Sequence, residues 1–113
     1  MKTEVIACDF DFTLAHYYEE DLGKPYTTKL PIRAMVNKAV FDVLKKYQIA
    51  GHKVIIHSSR SWEDYNVIQD WLITNHVPFN DIVLGKFKAD MYIDDKAVNP
   101  NHENFKTVAE GLL

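Results

Sequence analysis

Two short apolar runs constrain this chain more than any other feature. "TEVIAC" at 3–8 and "KVII" at 53–56 are too short for helices, rich in β-formers, and end abruptly in polar groups. Each reads as a buried strand. Between them, Val36, Ala39, Val40, Val43, Leu44 and Tyr47 fall on one face of a 3.6-residue period, predicting a helix from Met35 to about Ile49 that Gly51 is placed to end. Beyond the second run, Ser61 is positioned to cap a helix from Trp62 to Asn75, with Glu63 and Asp64 in its first turn and Trp62, Tyr65, Ile68 and Leu72 as its stripe. "DIVL" at 81–84 and "DMYI" at 90–93 read as further strands, and 101–112 as a closing helix. Strands alternating with helices are the grammar of an α/β protein with a mostly parallel sheet. Only five residues separate Leu84 from Asp90, fewer than the dozen or so a parallel crossover needs. "DIVL" is therefore either not a regular sheet strand or an antiparallel edge.

Residues 14–33 show no sustained period and hold Gly23, Pro25 and Pro31. They read as a long loop with a small hairpin at "DLGKPY", and a loop of about twenty residues in a compact domain is usually functional. With 113 residues, the chain is expected to form one domain, 1–113. A net charge of −3 argues against a general nucleic-acid surface. No apolar run approaches the ~20 residues of a membrane span, and Glu4 and Asp9 interrupt any secretory h-region. Cys8, the one cysteine, has no intrachain partner and sits in an apolar run, which suits core packing in a reducing compartment. A cytoplasmic protein is the expectation.

Ligand sites in open α/β sheets lie beyond the carboxyl ends of the strands. Three of the expected strands carry polar groups there: Asp9 and Asp11, then Ser58 and Ser59, then Asp94 and Asp95, with Lys86 or Lys88 ahead of the last. Four carboxylates gathered so closely require a counter-charge. A hard divalent cation meets that need, and Mg²⁺ takes one or two carboxylates with waters and phosphate oxygens. A carboxylate beside it can attack phosphorus to form an aspartyl-phosphate. A second, two residues on, can protonate the leaving alkoxide and then activate water. Hydroxyl, ammonium and backbone N–H groups neutralise the transferring oxygens.

These stretches resemble the motifs of the haloacid dehalogenase (HAD) superfamily of phosphohydrolases in its small, capless form. "DFDFT" resembles the first motif, "VIIHSSR" the second, and "LGKFKADMYIDDKA" the third and fourth, so the likeness covers nearly the whole chain. The last stretch is similar to the "GKP-x-AD-x-YIDD" run of short bacterial and phage members described only as hydrolases or capsule-biosynthesis phosphatases. The resemblance implies a three-layer α/β/α, Rossmann-like HAD fold without a cap domain, 14–33 being a flap-like insert. It implies Asp9 as nucleophile and metal ligand, and Asp11 as general acid/base with its carbonyl on the metal. Thr13 would brace the loop, Ser58 would bind phosphate, and Ser59 stands where a small residue is common. Lys86 matches the motif-three lysine, with Lys88 as its rival. Asp94 and Asp95 would complete the Mg²⁺ site, one directly and one through water. Phe12 replaces the common glycine of "D-x-D-G-T", and Phe87 the usual proline.

The activity implied is Mg²⁺-dependent phosphomonoester hydrolysis. Its substrate would be a sugar phosphate, a nucleotide or a nucleic-acid terminal phosphate, with no membrane partner. Capless members often take large substrates or a neighbouring subunit as roof, so a homo-oligomer is among the expectations. The rival readings are a receiver-like phospho-acceptor, which would carry its lone aspartate on a middle strand that here ends in "HSSR", and a non-catalytic HAD-like binding subunit. Among single residues, Arg60 suits either a substrate phosphate or a pairing with Glu63 or Asp64. His57 reads as packed, Tyr17 and Tyr18 as stacking groups or solvated loop, and Trp62 as core.

Overall fold

Asp9 ends the first of three parallel strands, and that placement fixes where chemistry can happen in this molecule. The computed structural model describes residues 2–24 and 31–113. In chain order its elements are β1 (Val5–Asp9), β2 (Ala15–Tyr17), β3 (Ala34–Val36), α1 (Lys38–Ile49), β4 (Lys53–His57), α2 (Tyr65–Thr74), β5 (Asp81–Val83) and α3 (Phe105–Ala109). β1, β4 and β5 form a three-stranded parallel sheet in the order β1-β4-β5, with Asp9 opposite His57 and His57 opposite Val83. β2 and β3 form a separate antiparallel pair, Ala15 opposite Val36. The chain is a small α/β protein.

The apolar runs become strands because they can be covered. Val54 and Ile56 of β4 are fully buried, and α1 covers them with Val40, Val43, Leu44 and Tyr47. α2 adds Ile68, Trp71 and Leu72, with Trp71 edge-on to Phe10 at 5.2 Å. Each such fully buried aliphatic side chain contributes roughly 1.5–3 kcal/mol. Cys8 lies in this core, where burial and then Asp9 push its thiol up to about 12.

Six expectations need correction. "DIVL" is neither irregular nor antiparallel: Asp81–Val83 pairs parallel with β4, because the connection through α2 is long enough for a crossover. "DMYI" is not a strand; too close behind β5 to cross over, it stays irregular, with Met91 and Ile93 exposed. α1 begins at Lys38 rather than Met35, since Ala34–Val36 pairs with β2, and the 14–33 stretch is therefore not all loop. Of the "DLGKPY" hairpin, Pro25 and Tyr26 lie outside the described residues. The closing helix spans only Phe105–Ala109, and Trp62 sits in a 3-10 turn (Trp62–Asp64), largely exposed rather than in the core.

Candidate active site

The loop after β1 is built by alternation and one crowded carbonyl. Phe10 points inward and is fully buried, while Asp9 and Asp11 stand on either side of it. The Phe10 carbonyl accepts from the N–H groups of Thr13 (3.4 Å), Leu14 (3.1 Å) and Ala15 (2.9 Å), and Phe12 donates to the Ala15 carbonyl at 2.9 Å. Phe12 takes a left-handed φ of 64° to make this turn. Asn37 then ties the turn to α1: its Oδ1 accepts from Ala39 N–H at 3.1 Å and its Nδ2 donates to the Thr13 carbonyl at 3.1 Å.

Backbone hydrogen bonds lace the three strand ends together. Phe10 N–H donates to the His57 carbonyl (3.0 Å), Ser58 N–H to Val83 (3.1 Å), and Lys86 N–H to Ser58 (2.9 Å). Asp9, Ser58 and Lys86 thus share one end of the sheet. The Thr13 hydroxyl donates to Asp9 Oδ2 at 3.5 Å, a long bond that orients the carboxylate. Lys86 is half-buried with its ammonium 4.1 Å from the Tyr92 ring centroid; Lys88 is exposed. His57 is held below the usual histidine range by burial first and then by the Lys86 charge, with Asp9 opposing.

Asp11 is the most heavily engaged side chain here. Arg60 approaches it in a fork, Nε donating to Oδ2 at 3.1 Å and Nη2 to Oδ1 at 3.0 Å. The Ser58 hydroxyl donates to Oδ2 at 3.3 Å and the Tyr17 hydroxyl to Oδ1. Arg60 also donates to the Tyr17 hydroxyl at 2.7 Å and lies 3.6 Å from Asp64 Oδ2; only 4% of its side chain is exposed. This matches one of the two roles considered for Arg60, a pairing with Asp64, and adds a larger one to Asp11. A two-point guanidinium–carboxylate pair in a buried setting is strong and directional. To reach a leaving group, Asp11 must exchange one of these partners for substrate.

Not every expected group gathers at this end. Ser58 is fully buried, its hydroxyl committed to Asp11 and to the Arg60 N–H at 3.1 Å, whereas Ser59 is exposed. Asp94 and Asp95 lie exposed on the irregular stretch, Asp94 accepting from Lys96 N–H at 2.8 Å. Among the described residues no group of three or more His, Cys, Asp or Glu side chains is placed to hold a metal ion. As arranged, the donors do not fit Mg²⁺, which wants carboxylates and waters about one centre. Tyr17, read from the sequence only as a stacking group or solvated loop, and buried Asp64 join the site through Arg60. No local signal announces Tyr17: it shares a side of the three-residue β2 with Ala15, which bridges to Asp11.

No family model matches the chain, and no curated protein matches it. Solved structures share its fold, two of them as follows. One is an MCSG target from Vibrio cholerae, 22% identical with a TM-score of 0.66, the match covering 98% of this chain and 100% of that one. The other is a chain in the structure of the Pnkp1/Rnl/Hen1 RNA repair complex, 19% identical with a TM-score of 0.61, covering 99% of this chain but 33% of that one. The present chain thus corresponds to a third of that larger protein, and what the two likenesses share with it is the α/β fold.

Proposed function

We propose that the chain is a HAD-like phosphomonoesterase working through an aspartyl-phosphate on Asp9. One observation carries the reading: Asp9, oriented by Thr13, stands at the carboxyl end of β1 beside the laced ends of β4 and β5, with Lys86 at the same end. In the first step an Asp9 carboxylate oxygen bonds to phosphorus as the bond from phosphorus to the ester oxygen breaks. The departing alkoxide takes a proton from Asp11, which must first leave the Arg60 fork and take up that proton from solvent. In the second, Asp11 takes a proton from water, whose oxygen attacks phosphorus, releasing inorganic phosphate and restoring the Asp9 carboxylate. Lys86 offsets charge on the transferring oxygens. The substrate is a sugar phosphate, a nucleotide or a nucleic-acid terminal phosphate; the likeness to a chain of an RNA repair complex keeps the last of these in view.

Mg²⁺, implied by the resemblance, is given no ligands and no step here, because the donors as arranged do not fit it. Its test is removal by chelator; turnover lost on chelation and restored by excess Mg²⁺ would show a metal requirement. The decisive assay is hydrolysis across a panel of phosphomonoesters. Asp9→Asn is expected to lower turnover by at least about a thousandfold, and Asp11→Asn by roughly 10²- to 10⁴-fold. The engagement of Asp11 and Ser58 by Arg60 favours one second reading, a phosphate-binding protein without turnover. Inactivity on every panel member, with phosphate ester still bound, would establish it instead.

A further inference from the structure

We propose that Trp62 is a stacking platform for the base of a phosphorylated nucleoside, an inference that rests on the phosphomonoester reading of the Asp9 site. Trp62 follows Ser58–Arg60 directly and is 55% exposed, yet its position is fixed from several sides. The Ser61 hydroxyl accepts from Glu63 N–H at 3.2 Å, and Asp64, paired with Arg60 at 3.6 Å, anchors the turn from beneath. The Tyr65 ring lies nearly parallel to the indole, 15° off and 6.2 Å between centroids. The indole edge packs on Gly85, where an added Cβ would sit 3.3 Å from Trp62 Nε1. Gly85 N–H in turn donates to the Arg60 carbonyl at 2.9 Å, so the loops after β4 and β5 hold the ring between them.

An immobilised, water-facing indole is poorly placed for stability and well placed for recognition. Lys86 is the next residue after Gly85, so the loop against which the indole packs also carries the cation expected to meet phosphate. The matching ligand has a phosphate monoester at one end and a planar π-system at the other, joined by a spacer. A phosphorylated nucleoside has all three; a sugar phosphate lacks the plane. Base–aromatic stacking is tolerant of sequence, so the ring by itself selects for a base without selecting which one.

The test is binding, measured by calorimetry on the full chain carrying Asp9→Asn. Adenosine 5′-monophosphate, ribose 5-phosphate and a 5′-phosphorylated oligoadenylate are compared. The adenosine-bearing ligands are expected to bind at least about tenfold more tightly than ribose 5-phosphate, and to quench tryptophan emission, Trp71 being buried. That advantage should vanish in Trp62→Ala and survive largely in Trp62→Phe. Tighter binding of the mononucleotide or of the oligonucleotide identifies the source of the nucleoside. Equal affinity for adenosine 5′-monophosphate and ribose 5-phosphate overturns the proposal, as does an advantage that persists in Trp62→Ala. The two readings separate cleanly: base-dependent binding without hydrolysis by the unmodified chain removes the phosphatase and keeps the platform, while hydrolysis without base preference does the reverse.

Discussion

Phe12 occupies a backbone conformation that suits glycine, with φ at 64° and its side chain largely exposed. A side chain there costs about 1–2 kcal/mol because Cβ crowds the following carbonyl. The tilted contact with Tyr17, 5.5 Å between centroids, offsets part of that cost. Phe12→Ala loses the ring and keeps the strain, whereas Phe12→Gly loses both. Urea unfolding should therefore find Phe12→Gly more stable than Phe12→Ala by about 1 kcal/mol; equal stabilities would mean that the left-handed turn does not form. His57 supports a second prediction at this scale. Its native pKa is depressed, so the folded chain binds fewer protons than the unfolded chain as pH falls. The stability tied to its neutral ring is complete above the unfolded value near 6.5 and is lost as pH falls through the lower native value. His57→Gln should flatten the stability-versus-pH curve between pH 7.5 and 5.5. An unchanged slope, measured by urea unfolding at both ends, would assign that pH dependence elsewhere.

α1 shows how an element and the site share a residue. Asn37 caps the helix through Oδ1 and holds the Thr13 carbonyl through Nδ2, so one side chain fixes both the helix start and the turn after β1. Asn37→Ala is expected to cost about 1–2 kcal/mol and to speed amide exchange at Leu14 and Ala15 more than in the middle of α1. Uniform faster exchange along the helix would reduce Asn37 to a cap alone. β1 and β4 were legible as short apolar runs that stop at polar groups, and α1 and α2 because each buries one face and so carries a helical period. β2 and β3 were not, since three-residue strands have no room for a pattern and their pairing joins distant segments. "DMYI" misled for the opposite reason: strand-forming residues were present, but too little chain lay behind them. The same division runs through the site. Asp9 and Ser58 could be located from where the apolar runs stop, whereas Lys86 was set apart from Lys88 only by the resemblance. The Arg60–Asp11–Tyr17 cluster could not, because it joins residues separated by 49 and 43 positions in a way no local spacing encodes.

At the scale of the whole molecule, the chain's last residues are fastened to the body away from the site. Tyr47 is almost wholly buried; its hydroxyl donates to the Ala109 carbonyl and accepts from Leu112 N–H at 3.3 Å. Phe105 enters the core alongside, and Lys46–Glu110 at 2.7 Å adds an exposed ion pair of small worth. α3 has only five residues, too few to persist without this docking. Tyr47→Phe keeps the packing and removes both hydrogen bonds, leaving a backbone carbonyl and an N–H without their partner. A loss of about 1–3 kcal/mol follows. Because Tyr47 lies near the C-terminus of α1 while Asp9 and Asn37 mark the opposite end of the helix, the loosening should stay local. Proteolysis and amide exchange should rise across 105–113, with the turnover proposed for the Asp9 site unchanged. Equal rises in exchange around Asp9 and Ser58 would show instead that the C-terminal residues and the sheet unfold as a single cooperative unit.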